Sequence, residues 1–377
     1  MKKLTLGKSK SHRMHIQFGK KHKLECAQLK VHDEIMETTE TEKYLGDFVS
    51  NSGKIDKTIE DRKNKGYAMM SQIMAILEEI PLGRHRIEIG LLLRKTMLTS
   101  CMLFNSEVWH CITDKHIKQL EKVDEQLLRR ILYAHSKTPI EILYLETGAL
   151  PIRFTLSYRR LLYVHTLMHR NENELTKKVY FAQKESPVKG DFCHLVKDDL
   201  DLVEINEQSI LQMSKSEFKT KLKDAIFRKA FSHLSTLKEA HSKVKNIEHN
   251  KLEIQSYFTS PLFSNAETSL LFKLRTQFIE CKVNFKHMYS NNNLECPLCK
   301  KHNDDQKHIL NCEIIRNEIC TKKIMNTSIK YEDIYSDDTV KQKEVTEVFS
   351  TCLRIRKKLI RNLSSLQDLS TLRGAGG

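Results

Sequence analysis

The stretch "ECPLCKKHNDDQKHILNCE", residues 295–313, constrains the fold of this chain more than any other. Cys296, Cys299, His308 and Cys312 stand in it at the spacing C-x2-C-x8-H-x3-C. Zinc takes four soft or borderline ligands in a tetrahedron, and three cysteines with one histidine satisfy it. A tight turn brings both sulfurs of a C-x2-C pair to one side, and Pro297 favours that turn. His308 and Cys312 are four residues apart, so on a short helix they share a face. The polar "KKHNDDQK" between the pairs suits a loop spanning the site. The alternative is three unrelated thiols beside a surface histidine, and four ligands packed into one polar loop weigh against it. His302 could replace His308, but it crowds the C-x2-C pair. Cys281 and Cys320 flank the loop and read as core residues of the adjoining helices. A site with four protein ligands is closed and structural, and its metal supplies folding energy that a thin loop-and-helix unit lacks.

The rest of the chain is basic. Its 377 residues carry 63 Lys and Arg against 48 Asp and Glu, a net charge of +15, which favours polyanionic partners, above all nucleic acid. A lysine-rich solvated surface would give the same balance. The N-terminal "MKKLTLGKSKSHRMH" has charge but no apolar stretch of a secretion signal. No run approaches the ~18 apolar residues of a membrane helix, since Arg94 and Lys95 interrupt the longest. The ten cysteines are therefore expected in a reducing compartment, nucleus or cytoplasm, as buried apolar residues or metal ligands.

Four segments are expected. Residues 1–54 begin very basic, with nine Lys and Arg against Glu25 up to residue 31, and the segments "RMHIQF" and "LKVHDEIMETTETEKYLGDFVSNSGK" read as short strands linked by turns, with Gly46 and Gly53 as breakers. Residues 55–182 read as helices: one ending before Pro81, one from about Arg84 to Trp109, one from about Asp114 to Tyr133, one opened by Thr138-Pro139, and "RFTLSYRRLLYVHTLMHR". Residues 183–213, with Pro187 and Gly190, read as a looser linker. Residues 214–377 hold a long charged helix over 214–249, the helix "AETSLLFKLRTQFIECK", the cysteine loop at 296–312, and a basic helix over 339–366. The fold class is mainly α with a short N-terminal β element.

Several of these pieces resemble, in order, one family. "TEKYLGDFVSNSGK" with the helical "IEDRKNKGYAMMSQI" resembles the end of the palm and start of the thumb in LINE-type, non-LTR retrotransposon reverse transcriptases. "TMLTSCMLFNSEVWH" is similar to the family's thumb segment, and "DEQLLRRILYAHSKTPIEILYLETGALPIR" to the segment after it. "LLFKLRTQFIECKVNFKHMYSNNNLECPLCKKHNDDQKHILNC" resembles its C-terminal zinc-finger region. The resemblance implies a palm remnant over 1–54, a helical thumb-like bundle over 55–182 and a zinc finger in a helical C-terminal region.

It also implies what this chain is without. The family polymerises through palm aspartates, two of them in a strand-turn-strand hairpin holding magnesium, and this chain is read as beginning after that hairpin. Its adjacent Asp pairs do not replace it: Asp304-Asp305 lies in the cysteine loop, Asp337-Asp338 in a turn, and Asp198-Asp199 after the thumb-like region with Asp201 on an acidic face. No catalytic residue is assigned, and the chain alone is expected not to polymerise. "GKSKSHRM" occupies the stretch of a family lysine proposed to protonate pyrophosphate, with Lys8 or Lys10 in its place, but without the aspartates a basic turn is the better reading. No carboxylate–lysine endonuclease cluster follows Cys312.

RNA, DNA or both are the expected partners, with no membrane and no small-molecule substrate. Candidate contacts are Lys8, Lys10, Arg13, Lys20, Lys21 and Lys23, with Phe18 and four histidines (His12, His15, His22, His32) interleaved, and Lys300, Lys301 and Lys307 on the cysteine loop. The loop cations are best placed, because a metal fixes the loop that carries them. Arg129, Arg130, Arg159 and Arg160 are helical pairs of which one member each need face a ligand. Trp109 is more readily core than a stacking platform. The competing function class is a protein-interaction or non-functional fragment of a decayed element, its charge incidental.

Overall fold

The computed structural model describes residues 12–16, 30–31, 34–80, 85–288, 293–320 and 329–374. Strands β1 (Lys30–Val31) and β2 (Glu34–Ile35) pair antiparallel, as do β3 (Thr41–Tyr44) and β4 (Asp47–Ser50). Leu45 and Gly46 link β3 to β4 with φ of 47° and 95°, the left-handed backbone of a two-residue hairpin turn. "RMHIQF" was expected as a strand, but within its described residues only Arg13 pairs, in a single bridge to Thr38.

Among the described residues, the regular elements after the hairpin are helices, with isolated bridges at Thr147–Ile254 and Glu295–Asn303. In chain order the helices are α1 (Asp56–Glu79), α2 (Arg86–Leu93), α3 (Thr99–Met102), α4 (Asp114–Leu132), α5 (Ile140–Thr147), α6 (Ile152–Met168), α7 (Leu175–Glu185) and α8 (Phe192–Val203). There follow α9 (Glu207–Leu211), α10 (Lys215–Lys238), α11 (Ser256–Thr259), α12 (Asn265–Arg275), α13 (Gln306–Asn311), α14 (Glu313–Cys320) and α15 (Thr339–Gly374). No helix among the described residues is long and apolar enough to cross a membrane.

Three stretches differ from expectation. The single helix expected from Arg84 to Trp109 is broken: α2 passes into a π-helical turn over Arg94–Leu98, then α3, then a 3-10 turn over Ser106–Val108. The π turn begins at Arg94, whose buried guanidinium meets both oxygens of buried Asp124 at 2.7 and 2.6 Å. Residues 183–213, read as a looser linker, carry α8 and α9, whose starts are capped by the side chains of Asp191 and Asn206. The charged helix expected over 214–249 ends at Lys238, and the one begun at Asn265 ends at Arg275, where Gln277 takes a φ of 57°.

Contacts divide the chain into two units, each drawn from three stretches of sequence. The first comprises Met1–Ile73, Arg94–Asp124 and Pro151–Lys229. Its core holds Ile59, Leu98, Met102, Trp109, Leu120, Leu161 and Val164, all nearly inaccessible. Gly66 permits this packing, since a Cβ there would lie 2.6 Å from the Met102 sulfur. The β3–β4 hairpin is tied to α1 by Arg62, which donates to the Gly46 carbonyl at 3.0 Å and to Asp47 at 2.6 Å. Asp199 on α8 is buried and accepts from Arg160 and Ser157 on α6, both at 2.6 Å.

The second unit comprises Met74–Leu93, Glu125–Leu150 and Ala230–Gly377. Its core is built on Leu127, Ile131, Leu143, Tyr257, Phe272, Ile315 and Phe349, each such side chain contributing roughly 1.5–3 kcal/mol by leaving water. Glu146, on α5, is fully buried at the centre of a polar cluster that the sequence does not announce. Its Oε1 accepts from Arg275 Nε and Nη2 at 3.2 and 3.0 Å and meets His249 Nε2 at 3.2 Å. Its Oε2 accepts from the Tyr257 hydroxyl at 2.6 Å. Burial alone would push the carboxyl up, but the Arg275 charge and the His249 and Tyr257 contacts hold it at about 2.

Candidate metal centre

Two arms of chain close the cysteine loop. Glu295 bridges antiparallel to Asn303, Cys296 N–H donates to the His302 carbonyl at 2.7 Å, and Asp304 N–H donates to the Leu294 carbonyl at 2.7 Å. Inside this short ladder Pro297 and Leu298 turn the chain, and Lys300 N–H returns to the Cys296 carbonyl at 3.0 Å. Lys300 itself takes a φ of 56°. The turn brings both cysteines to one side, which is what the C-x2-C spacing requires. Asp305 then caps α13 by accepting from His308 N–H at 2.6 Å, which sets His308 one turn from Cys312. Cys312 ends the helix in extended backbone instead of lying within it, and the pair still converges.

The four side chains expected as ligands come together. The ligand atoms of Cys296, Cys299, His308 and Cys312 all lie within 4.8 Å of one another, and Cys299 Sγ is 3.3 Å from His308 Nε2. Ideal tetrahedral zinc, with bonds of about 2.0–2.3 Å, sets its ligand atoms about 3.5–3.8 Å apart, so small adjustments complete the shell. Cys296 and Cys312 are buried and the other two half-buried. Among the described residues this is the group of three or more Cys, His, Asp or Glu that converges closely enough to hold a metal ion. His302 is exposed, its ring centroid 5.3 Å from that of His308, and it lies outside the cluster.

The electrostatics fit thiolate and neutral imidazole ligands. Burial opposes ionisation of Cys299, but backbone N–H groups of Lys301 and His302 aimed at its sulfur outweigh that and lower its pKa. Burial pushes Cys296 up to about 11, against N–H groups of Cys299 and Leu298 that favour the thiolate. A cation bound among the four side chains would supply the charge that stabilises it. His308 is held below its ordinary pKa by burial and by His302, leaving it neutral with a lone pair to donate. Cys281, by contrast, is a core thiol, buried and pushed up to about 11.

The loop is docked by residues that sequence reasoning passed over. Asp304 lay in what read as a polar spanning loop, yet it is fully buried. Its Oδ2 accepts from Lys282 N–H at 2.9 Å and from Arg356 of α15 at 2.7 Å. Gln306, also buried, donates to the Leu274 carbonyl at 3.0 Å and to Tyr331 at 2.9 Å, and accepts from Asn284 at 3.1 Å. An Asp-Gln pair at a helix start carries a capping signal for Asp305, but nothing local signals burial of Asp304.

The expected cations meet different fates. Lys8, Lys10, Lys20, Lys21 and Lys23, with Phe18, His22 and His32, lie outside the described residues. Arg13 is half-buried and hydrogen-bonded through its backbone to residues 37 and 39. Lys300, Lys301 and Lys307 are exposed. Lys301 pairs with Glu313 at 2.6 Å and Lys307 with Glu332 at 2.9 Å. Both pairs lie in solvent, where screening keeps such contacts weak. The helical arginines are mostly structural: Arg129 pairs with Glu125, Arg159 bonds the Leu103 carbonyl and Ser106, and Arg160 is buried against Asp199, leaving Arg130 exposed.

Comparison of the chain with protein-family models, with curated proteins and with solved structures gives no match.

Proposed function

We propose that this chain is a nucleic-acid-binding module in which a zinc ion, held by Cys296, Cys299, His308 and Cys312, fixes a basic loop for contact with phosphates. The observation that carries this reading is the convergence of those four ligand atoms within 4.8 Å, with exposed Lys300, Lys301 and Lys307 on the same loop and helix. The metal's role is structural: all four positions are filled by protein, so it cross-links the C-x2-C turn to the α13 end and leaves no site for a reacting water. The net charge of +15 supports a polyanionic partner. Within this proposal the likeness of the segments to LINE-type reverse transcriptases makes the module the thumb and zinc-finger portion of such an enzyme, the hairpin before α1 the last of its palm, and its compartment intracellular. RNA or DNA of the element is then the ligand.

Two measurements test it together. Purified chain should contain about one zinc per molecule, lost to a chelator with unfolding around the loop. Structured RNA or an RNA–DNA duplex should bind with an affinity falling on the order of a hundredfold from about 50 to 200 mM salt. Replacing Lys300, Lys301 and Lys307 together by Ala should flatten that salt slope and leave the zinc content intact. Zinc-loaded, folded protein that binds no nucleic acid at low salt refutes the reading and favours the protein-interaction class.

A further inference from the structure

The second unit carries a groove of about 810 Å³ beside α12 and α15, within the size range of pockets that hold ligands. Its lining contains Lys273, Arg356, Lys357 and Arg361 against one acid, Glu280, among the described residues. Arg356 is committed to Asp304, whereas Lys273 and Lys357 have no carboxylate partner among the described residues. The wall is aromatic. His135 stacks on Phe278 with ring centroids 4.9 Å apart and meets Phe285 edge-on at 5.3 Å. Behind this cluster Lys243 lies over Phe278 at 4.4 Å and donates to the Asn284 carbonyl at 2.9 Å. Burial, then the charges of Lys137, Lys243 and Arg129 and the neighbouring His287, hold His135 below its ordinary pKa. The field in this region is positive and suits an anion.

Tyr133 lines the same groove. It follows the last residue of α4 with a φ of 52°, where glycine is the usual occupant because a Cβ crowds the carbonyl there. Its N–H bonds the Arg130 carbonyl, and Ala134 N–H bonds the Arg129 carbonyl, so the strained turn is a regular helix stop. The residue is 41 % exposed, and the Arg86 guanidinium lies 5.7 Å from its ring centroid. Its half-exposed side chain thus lines the groove together with Lys273 and Lys357.

We propose that this groove binds single-stranded nucleic acid, a base stacking on the Tyr133 ring while Lys273 and Lys357 take the flanking phosphates. Stacking needs only a π-face, so binding there tolerates sequence, and cations along the groove track the backbone. The inference rests on the nucleic-acid reading above and gives it a second site, separate from the loop lysines.

The test uses full-length, zinc-loaded protein and fluorescently labelled oligo(U) and oligo(dT), read by anisotropy. Tyr133→Gly relieves the backbone strain, so it should keep or raise Tm while weakening oligonucleotide binding about tenfold. Tyr133→Leu keeps an apolar side chain without a π-face and should weaken binding comparably. Lys273→Ala with Lys357→Ala should reduce the logarithmic salt slope by about 1.4, two phosphates at about 0.7 each. Wild-type oligonucleotide affinity in folded Tyr133 variants overturns the groove. If the groove variants bind normally while the Lys300, Lys301 and Lys307 variant does not, the nucleic-acid reading stands without it. If wild-type protein binds neither oligonucleotide nor structured RNA at low salt, both fall.

Discussion

Replacing Glu146 by glutamine removes the carboxylate around which the second unit is organised. The charge is inaccessible to water and accepts from Arg275, Tyr257 and His249 at once. Two routes give the magnitude. Holding the carboxyl at about 2 against an ordinary 4.5 corresponds to about 2.5 pH units, or ~3 kcal/mol at 1.36 kcal/mol each. Breaking a buried ion pair by removing one partner costs roughly 3–5 kcal/mol, here because Arg275 keeps its charge with no counter-ion. The folded-state pKa is depressed, so this stability is fully present above about 4.5 and is lost as pH falls toward about 2. Glu146→Gln should therefore lose roughly 3–5 kcal/mol near neutral pH, and the gap from wild type should narrow on acidification through that window. Urea titrations followed by helical circular dichroism, in wild type and variant at both ends of the window, measure the gap while the other carboxylates cancel. Hydrogen exchange of the α12 amides locates the loss in the second unit. A variant within about 0.5 kcal/mol of wild type near neutrality, or a gap that does not change with pH, refutes the assignment of a paired buried charge.

Cys299→Ser should cut zinc content sharply and expose residues 293–320 to proteolysis, since a serine oxygen is a poor replacement for a thiolate; metal analysis and limited digestion decide it, and wild-type behaviour in both contradicts the site. Gly148→Ala should destabilise by more than about 1 kcal/mol, because φ is +65° and a Cβ would lie 2.4 Å from the Glu253–Ile254 peptide, backbone that cannot swing aside; a Tm equal to wild type counts against it. Given primer, template, magnesium and nucleotides, the chain alone should not extend the primer. Asp198 and Asp199 are successive residues of one helix, with Asp199 locked to Arg160, so template-dependent synthesis by the chain, whether or not it survives their substitution, would show that a polymerase centre had been missed.

How much was legible in the sequence depends on the distance over which each cause acts. The convergence of Cys296, Cys299, His308 and Cys312 was readable because its geometry is local. A C-x2-C turn and a His-x3-Cys step fix where the donors point whatever surrounds them, and the structure brings those four side chains together. The β3–β4 hairpin and α1, α4, α5 and α6 were legible for the same reason, since period and punctuation act over a few residues. Tertiary structure decided the rest. Arg94 looked like an interruption in an apolar helix until Asp124, thirty residues on, turned it inward. Asp304 looked like solvent-facing loop until Arg356 and the Lys282 amide covered it. Glu146 and Arg275, 129 residues apart, carry no mark in sequence of being partners. A buried charge becomes tolerable only when a distant opposite charge and its hydrogen bonds arrive, and only the folded chain brings them there.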